Sequence, residues 1–347
     1  MGRLSHQRIS ALAVFLAAGV LLGGAAPSTS GASPAPVDDE GHRLTADVSR
    51  ISGADRYELA ARIARQTAPG RSDVVYIASG ATYPDALSAG PAVVHRGGVL
   101  LLVPPTSLPA SVSTALAALD PSTVVVVGGT ASVPDAVVSA IRSTVPRATV
   151  SRLAGADRYE VSRAVARSAF DAPTSGVFLA TGRTFPDALS AGAAASKLGF
   201  PVLLVDGAQP ALDGSTAALI TELGAGSAII MGGTASVTAS IEASIGRTLS
   251  TTRVGGADRY AVSAALNDLI LQDYSTVYLA TGATFPDALA GGVLAGSTNA
   301  PLFVIPNDCI PKAVVQQLEV NGTRKIVLLG GPASLGDAVA ALTPCTW

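Results

Sequence analysis

A three-unit α/β fold with parallel sheets is what this 347-residue sequence predicts, on three observations. One motif occurs three times, about 100 residues apart. Each intervening stretch alternates short apolar runs with helix-like segments, and those runs are unbroken Val, Leu and Ile. Strands without polar alternation are buried on both faces, the condition of a parallel sheet covered by helices. Composition agrees: 48% of the residues are hydrophobic and only 14% charged, against roughly 25% charged in an average globular chain. That is too much apolar material for a disordered chain. A formal net charge of −2 supplies no basic footprint for nucleic acid.

The first segment reads as an address. Arg3, His6 and Arg8 precede an apolar run over 9–22, and small residues follow through Ala26. A basic start, a short apolar core and an Ala-rich exit are the layout of a secretory signal peptide, expected over 1–26. The run is about 14 residues, short of the roughly 20 that a spanning helix needs; an uncleaved anchor is the alternative reading. Residues 27–47, rich in Pro, Ser and Ala and acidic at Asp38, Asp39 and Glu40, read as a disordered spacer. No later segment reaches spanning length without Gly, Pro or charge, so no stable membrane span is expected after cleavage.

Three repeats are expected, over 48–149, 150–250 and 251–347. Arg50-Ile-Ser-Gly-Ala-Asp-Arg-Tyr57 returns as Arg152-Leu-Ala-Gly-Ala-Asp-Arg-Tyr159 and Arg253-Val-Gly-Gly-Ala-Asp-Arg-Tyr260. A second block over 78–87 matches 180–189 and 280–289, and a third over 127–133 matches 231–237 and, more loosely, 329–335. Within the first unit, 48–51 is a short strand, and Asp55 can cap a helix running to about residue 67. A strand at 74–78 leads through a turn at 79–83 to Pro84, at the favoured first position of a helix reaching about residue 96. An apolar strand at 99–103, a helix at 111–119 and a strand at 124–127 follow. The last meets Gly128-Gly129, and Ser132 ahead of Pro134 is expected to start the closing helix. Four strand–helix steps make a small layered, Rossmann-like unit. If the strand at 150–153 completes the first sheet, the third lacks its closing strand unless 48–51 supplies it, closing the units into a ring.

Together, these blocks resemble the cell-wall-binding repeat 2 family, over about residues 48–347. The resemblance implies three Rossmann-like subdomains packed about a pseudo-threefold axis. It also implies a secreted, wall-associated bacterial protein that binds, non-covalently, an anionic cell-wall polymer, teichoic-acid-like or phosphate-bearing. In this family the repeats usually accompany a separate effector domain; three units of about 100 residues leave no length for one within this sequence. The third copy departs from the other two. Ala261 stands where they have Glu58 and Glu160, Gly331-Pro332 replaces Gly-Thr, and Ala290 replaces Ser88 and Ser190.

Candidate ligand contacts fall on the motifs, where scaffold roles compete for the same residues. Arg56, Arg158 and Arg259 carry planar forks suited to phosphate, or could pair with carboxylates across a unit boundary. Thr82, Thr184 and Thr284 lie between a strand end and a helix start, a geometry that presents outward N–H donors. Asp85, Asp187 and Asp287, in the first helical turn, would repel a phosphate there and read as caps or as acceptors for a sugar hydroxyl. The Gly-Gly-Thr step lacks both the G-x-G-x-x-G spacing and a P-loop ending, so no nucleotide cofactor is expected. The only Trp is terminal, and Tyr83, Phe185 and Phe285 are expected to be buried. Charge and hydrogen bonds, rather than stacking, would then hold a polymer, with three linked sites adding avidity.

Catalysis is not expected. Outside the leader there are two histidines, His42 and His95, and no H-E-x-x-H, whereas a zinc amidase needs several ligands around an open metal position. Ser88 and Ser190 sit in imperfect imitations of a nucleophile elbow, inside a predicted helix. Carboxylate pairs for glycoside cleavage would recur in every copy, as scaffold or binding residues do. An exported structural or interaction protein and a peptidoglycan amidase are the alternatives to wall binding. Two cysteines are too few for an all-thiolate zinc site. In an oxidising compartment Cys309 and Cys345 are expected to form one disulfide, closing a loop of about 37 residues worth at most roughly 4 kcal/mol; two free thiols are the alternative.

Overall fold

The computed structural model describes residues 44–270 and 273–347. The expected leader and most of the expected spacer lie outside them. The first repeat runs β1 (Asp47–Ile51), α1 (Arg56–Thr67), β2 (Val74–Ser79), α2 (Pro84–His95), β3 (Val99–Val103), α3 (Ala110–Leu119), β4 (Thr123–Val127) and α4 (Asp135–Thr144). The second continues with β5 (Thr149–Leu153), α5 (Arg158–Ala169), β6 (Gly176–Thr181), α6 (Pro186–Leu198), β7 (Val202–Val205), α7 (Gly214–Glu222), β8 (Ser227–Met231) and α8 (Ala239–Ile245). The third adds β9 (Ser250–Val254), α9 (Arg259–Leu269), β10 (Thr276–Thr281), α10 (Pro286–Ser297), β11 (Leu302–Ile305), α11 (Lys312–Val320), β12 (Lys325–Leu329) and α12 (Asp337–Ala340).

The strands form three parallel four-stranded sheets, in the orders β3-β2-β4-β5, β7-β6-β8-β9 and β11-β10-β12-β1. Each lobe takes three strands from its own repeat and its fourth from the next one. Val150 is paired with Val124, Thr251 with Ala228 and, to close the ring, Val48 with Ile326. The sheets are therefore offset from the sequence repeats by one strand. An arginine on each imported strand grips the lobe it joins. Arg152 and Arg253 donate to the carbonyls of Gly128 and Gly232 at 2.8 Å each. Arg50 donates to Gly330 O at 2.9 Å and Leu335 O at 2.8 Å.

Packing follows the strand period of two. In the first lobe Tyr76, Ala78, Leu100, Leu102, Val125 and Val127 face the axis and join a core continuous through all three lobes. Their neighbours Val75, Ile77, Leu101, Val103, Val124 and Val126 face outward, under α3 and α4. Helices α2, α6 and α10 pack on one another around the axis, and α1, α5 and α9 each pack on the axial helix of a neighbouring repeat. Each buried Val, Leu or Ile contributes on the order of 1.5–3 kcal/mol relative to exposure. The core across the lobes thus far outweighs the small polar clasps at their seams.

Two local starts contrast. Asp55 caps α1, its Oδ1 accepting from the N–H groups of Tyr57 and Glu58 at 2.9 and 2.8 Å, and Asp157 and Asp258 repeat this at α5 and α9. Ser132 does not start α4. Pro134 does, as the residue capping the helix, with extended backbone and no side-chain cap; its missing N–H is one that a helix start leaves without an intrahelical partner.

The last helix, α12, is a single turn, where α4 has ten residues. Beyond it the tail is held by a bridge between Ile310 and Pro344, by the Cys345 N–H donating to Ile310 O at 2.9 Å, and by a Cys309–Cys345 disulfide. With a sequence separation of 36 between the cysteines, the C309S/C345S double variant is expected to lose roughly 2–4 kcal/mol. Thermal melting with and without reductant checks this; identical curves for the two forms would rule the contribution out.

Candidate functional site

In each sheet the chain first steps outward on one side of the central strand and then crosses to the other side. The loops leaving β2 and β4 therefore diverge, and a crevice opens beyond their C-terminal ends, the usual ligand position in open α/β sheets. All three sequence blocks converge on it. The second block follows β2 and the third follows β4; the first arrives from the next repeat, behind β5. The second and third lobes repeat the arrangement with β6, β8 and β9, and with β10, β12 and β1. In the second lobe the crevice is a cleft of about 500 Å³ lined by Thr184, Phe185, Asp187, Gly233, Ser236, Ala257, Asp258 and Arg259, with Tyr83 reaching in from the first lobe.

The three arginines sit on the seams between lobes. Arg56, Arg158 and Arg259 donate from Nη1 to the carbonyls of Gly80, Gly182 and Gly282 at 2.8, 2.6 and 2.6 Å. Each guanidinium also lies over a ring of a neighbouring lobe: Arg56 over Phe285 at 5.7 Å, Arg158 over Tyr83 at 5.9 Å and Arg259 over Phe185 at 5.5 Å. One donor goes to the carbonyl and one face to the ring, leaving further N–H groups of the fork for a ligand. The rings are half-buried and meet on the axis, with centroids 5.6, 5.8 and 5.9 Å apart, and the Tyr83 hydroxyl donates to Arg183 O at 2.9 Å.

Thr82, Thr184 and Thr284 are exposed at the crevice mouths. Asp85, Asp187 and Asp287 instead turn inward, each only 7% exposed, and the helices they begin carry no side-chain cap. Asp85 accepts from the Ser132 hydroxyl, and Asp287 from that of Ser334. Burial pushes both carboxyls above the ordinary carboxylate range, and the serine hydroxyl, then Arg158 or Arg56, pulls them partly back. A carboxyl raised in this way binds its proton more readily folded than unfolded. Its contribution therefore favours the fold below the ordinary value of 3.8 and is lost as pH rises through the folded value. The carboxylates also explain the first glycine of each Gly-Gly step. Gly128, Gly232 and Gly330 have φ of 108°, 91° and 103°, and a Cβ at each would overlap Oδ2 of Asp85, Asp187 or Asp287.

Sequence reasoning found the motif residues but missed three partners: the serines beneath the aspartates, the clasping arginines Arg50, Arg152 and Arg253, and the meeting of the three rings. The signal for the first two lay in the repeats. Ser132, Ser236 and Ser334 recur at one place in the third block, and an arginine opens every copy of the first. Ser88 and Ser190 are 2% exposed inside α2 and α6, and His95 stacks on Phe170 at 4.5 Å.

The profile of the family described as cell wall binding domain 2 (CWB2) matches residues 50–138, 152–242 and 253–340. The chain belongs to this family. It is 27% identical over 293 residues to the N-acetylmuramoyl-L-alanine amidase LytC of Bacillus subtilis (strain 168), covering 84% of this chain and 57% of the amidase. It is also 25% identical over 305 residues to the amidase enhancer of the same organism, covering 86% of this chain and 41% of the enhancer. Among solved structures, Cwp6 from Clostridium difficile superposes with a TM-score of 0.79 at 25% identity, over 86% of this chain and 48% of its own. Cwp8 from Clostridium difficile gives 0.77 at 21% identity, over 85% and 51%, a likeness of fold. The chain thus spans about half the length of these relatives. Among the described residues, no helix is long and apolar enough to cross a membrane.

Proposed function

We propose that the protein is exported and attaches non-covalently to the bacterial cell wall by holding an anionic envelope polymer, teichoic-acid-like or phosphate-bearing, at its inter-lobe crevices. Arg56, Arg158 and Arg259 are the principal contacts, with Thr82, Thr184 and Thr284 as hydroxyl partners at the crevice mouths. Asp85, Asp187 and Asp287 shape the crevice floor. The observation that carries this reading is the threefold recurrence of one arginine, fixed by a carbonyl below and a ring beside it, with donors to spare at a switch-point crevice. Membership of a wall-binding family supports it. The amidase activity named for one relative belongs to a protein of which this chain matches 57%, and it is not carried over.

The test is sedimentation with purified bacterial walls before and after extraction of their acidic polymers, over a range of salt. Binding should fall on extraction and weaken as salt rises, since exposed charge pairs are screened over about 8–10 Å at physiological ionic strength. Binding indifferent to both treatments would overturn the proposal.

A further inference from the structure

We infer that the second lobe carries a separate pocket for an uncharged sugar residue, beyond the C-terminal end of β7, built by Arg163, Asp206 and Asp213 where the other two repeats have only alanine and proline. This goes beyond the seam crevices: the pocket lies at the edge strand of the sheet, and its ligand is neutral.

Comparison of the three copies singles the pocket out. Arg163 stands where the others have Ala61 and Ala264, Asp206 where they have Pro104 and Pro306, and Asp213 where they have Pro109 and Pro311. Thr216 is fully buried where they bury Val112 and Val314. The step from β7 to the cap of α7 is also longer, 206–212 against 104–108 and 306–310. These changes are scattered along the chain but meet in one place. Arg163 Nη1 donates to Asp213 Oδ1 at 3.3 Å and to Thr216 Oγ1 at 3.2 Å, and Asp206 Oδ2 accepts from Gln209 Nε2 at 2.7 Å. The same packing of a helix on the edge strand is made by alanine, valine and proline in the other two lobes, so the scaffold does not call for polar groups here. Burying them costs free energy that apolar residues would not incur.

Arg163, Asp206, Gln209 and Asp213 line a cavity of about 410 Å³ together with Asp157 and Tyr159. That volume lies within the roughly 300–1,000 Å³ of small-molecule sites. The Arg163 side chain is 16% exposed and, among the described residues, donates only from Nη1, which leaves Nε and Nη2 for a ligand. Asp157 and Asp213 use Oδ1 to cap α5 and α7. Neither Oδ2, nor the Tyr159 hydroxyl, makes a hydrogen bond among the described residues. Burial, then the neighbouring Asp206, push the Tyr159 hydroxyl up, so it keeps its proton at neutral pH. The lining thus offers both donors and acceptors, and a sugar hydroxyl uses both at once. Leu212 and Ile241 add an apolar wall for the C–H face of a sugar ring. The charges nearly cancel. Arg163 pairs with Asp213, and Arg183, which replaces Ala81 and Ala283, pairs with Asp206, at 3.3 Å each. The remaining carboxylate, Asp157, lies at the positive end of α5. An ionic ligand gains little there, whereas an uncharged ligand rich in hydroxyls finds a partner for each.

The test is saturation-transfer NMR and titration of the full chain with glucose, N-acetylglucosamine and cellobiose, with glucuronate and glucosamine as the anionic and cationic counterparts of glucose. At least one neutral sugar should bind with a millimolar dissociation constant, and glucose more tightly than either charged counterpart. R163A gives the second copy the residue of the other two, and Y159F removes one hydroxyl and nothing else. Each should weaken the best neutral sugar at least threefold, and Y159F carries the test should R163A fail to melt cooperatively. The seam variant R56A/R259A should bind that sugar as the wild type does. The inference is overturned if no neutral sugar binds at millimolar concentrations, if glucuronate or glucosamine binds better than glucose, or if R163A and Y159F both fold and bind unchanged. Loss of sugar in R56A/R259A with retention in R163A would move the sugar to the seams and overturn it as well. Because the probes are uncharged, failure of the acidic-polymer reading would leave this result standing.

Discussion

Gly330→Ala is expected to destabilise the folded chain by about 3 kcal/mol or more, among the largest single-residue effects in the molecule. Two costs add. At φ 103° any residue with a Cβ is strained, and the new methyl would overlap Oδ2 of Asp287, a side chain only 7% exposed. The Ser334 Cβ, 2.8 Å from the same point, blocks the other direction. The two costs separate in a double-mutant cycle. D287A alone leaves the Ser334 hydroxyl without its acceptor, at about 1–2 kcal/mol, whereas in the G330A background it removes the overlap. Chemical denaturation of the four proteins should therefore give a double variant more stable than the sum of the single losses by about 1 kcal/mol or more. Strict additivity would mean that the carboxylate is not what makes glycine necessary there.

The second large effect is on binding. The triple variant R56A/R158A/R259A is expected to lose wall affinity at least tenfold while keeping its circular dichroism and a cooperative melt, lowered by a few degrees. The fold survives because the arginines contribute only rim contacts, whereas the lobes are joined by a continuous apolar core. The triple lysine variant separates charge from shape. Lysine keeps the charge but cannot both donate to the glycine carbonyl and lie flat on the ring, so affinity should fall between the two. A triple alanine protein without a folding transition would make these residues scaffold, and one that folds and binds walls normally would remove them from the site.

Much of the fold was legible because it is local. Unbroken runs such as 99–103 reported strands buried on both faces, Asp55 reported a helix start, and Pro84 reported another. The strand exchange was legible only as a counting problem: three sheets, and a first strand with nothing nearby to pair with. What stayed hidden depends on contacts across the axis. Tyr83, Phe185 and Phe285 are about 100 residues apart in sequence, so no periodicity announces that their rings meet. Asp85 looked like a helix cap because a carboxylate in a first turn commonly is one. Its real partner, Ser132, lies on the far side of the crossover, and local reading assigned that serine to a different helix.

The borrowed strand also fixes how many repeats such a chain can carry. In an open array, each unit stacks on the last, and copies can be gained or lost one at a time, with stability changing by increments. Here every lobe is finished by its successor, and the last is finished by the first through Asp47–Ile51. A gene losing one copy would still pass a strand forward, but the returning strand would have to close a two-membered ring, with two rings where three now meet on the axis. A gene gaining one would open a hole in the centre of the core. Duplication in this lineage is therefore expected to copy the set of three, as a whole further ring.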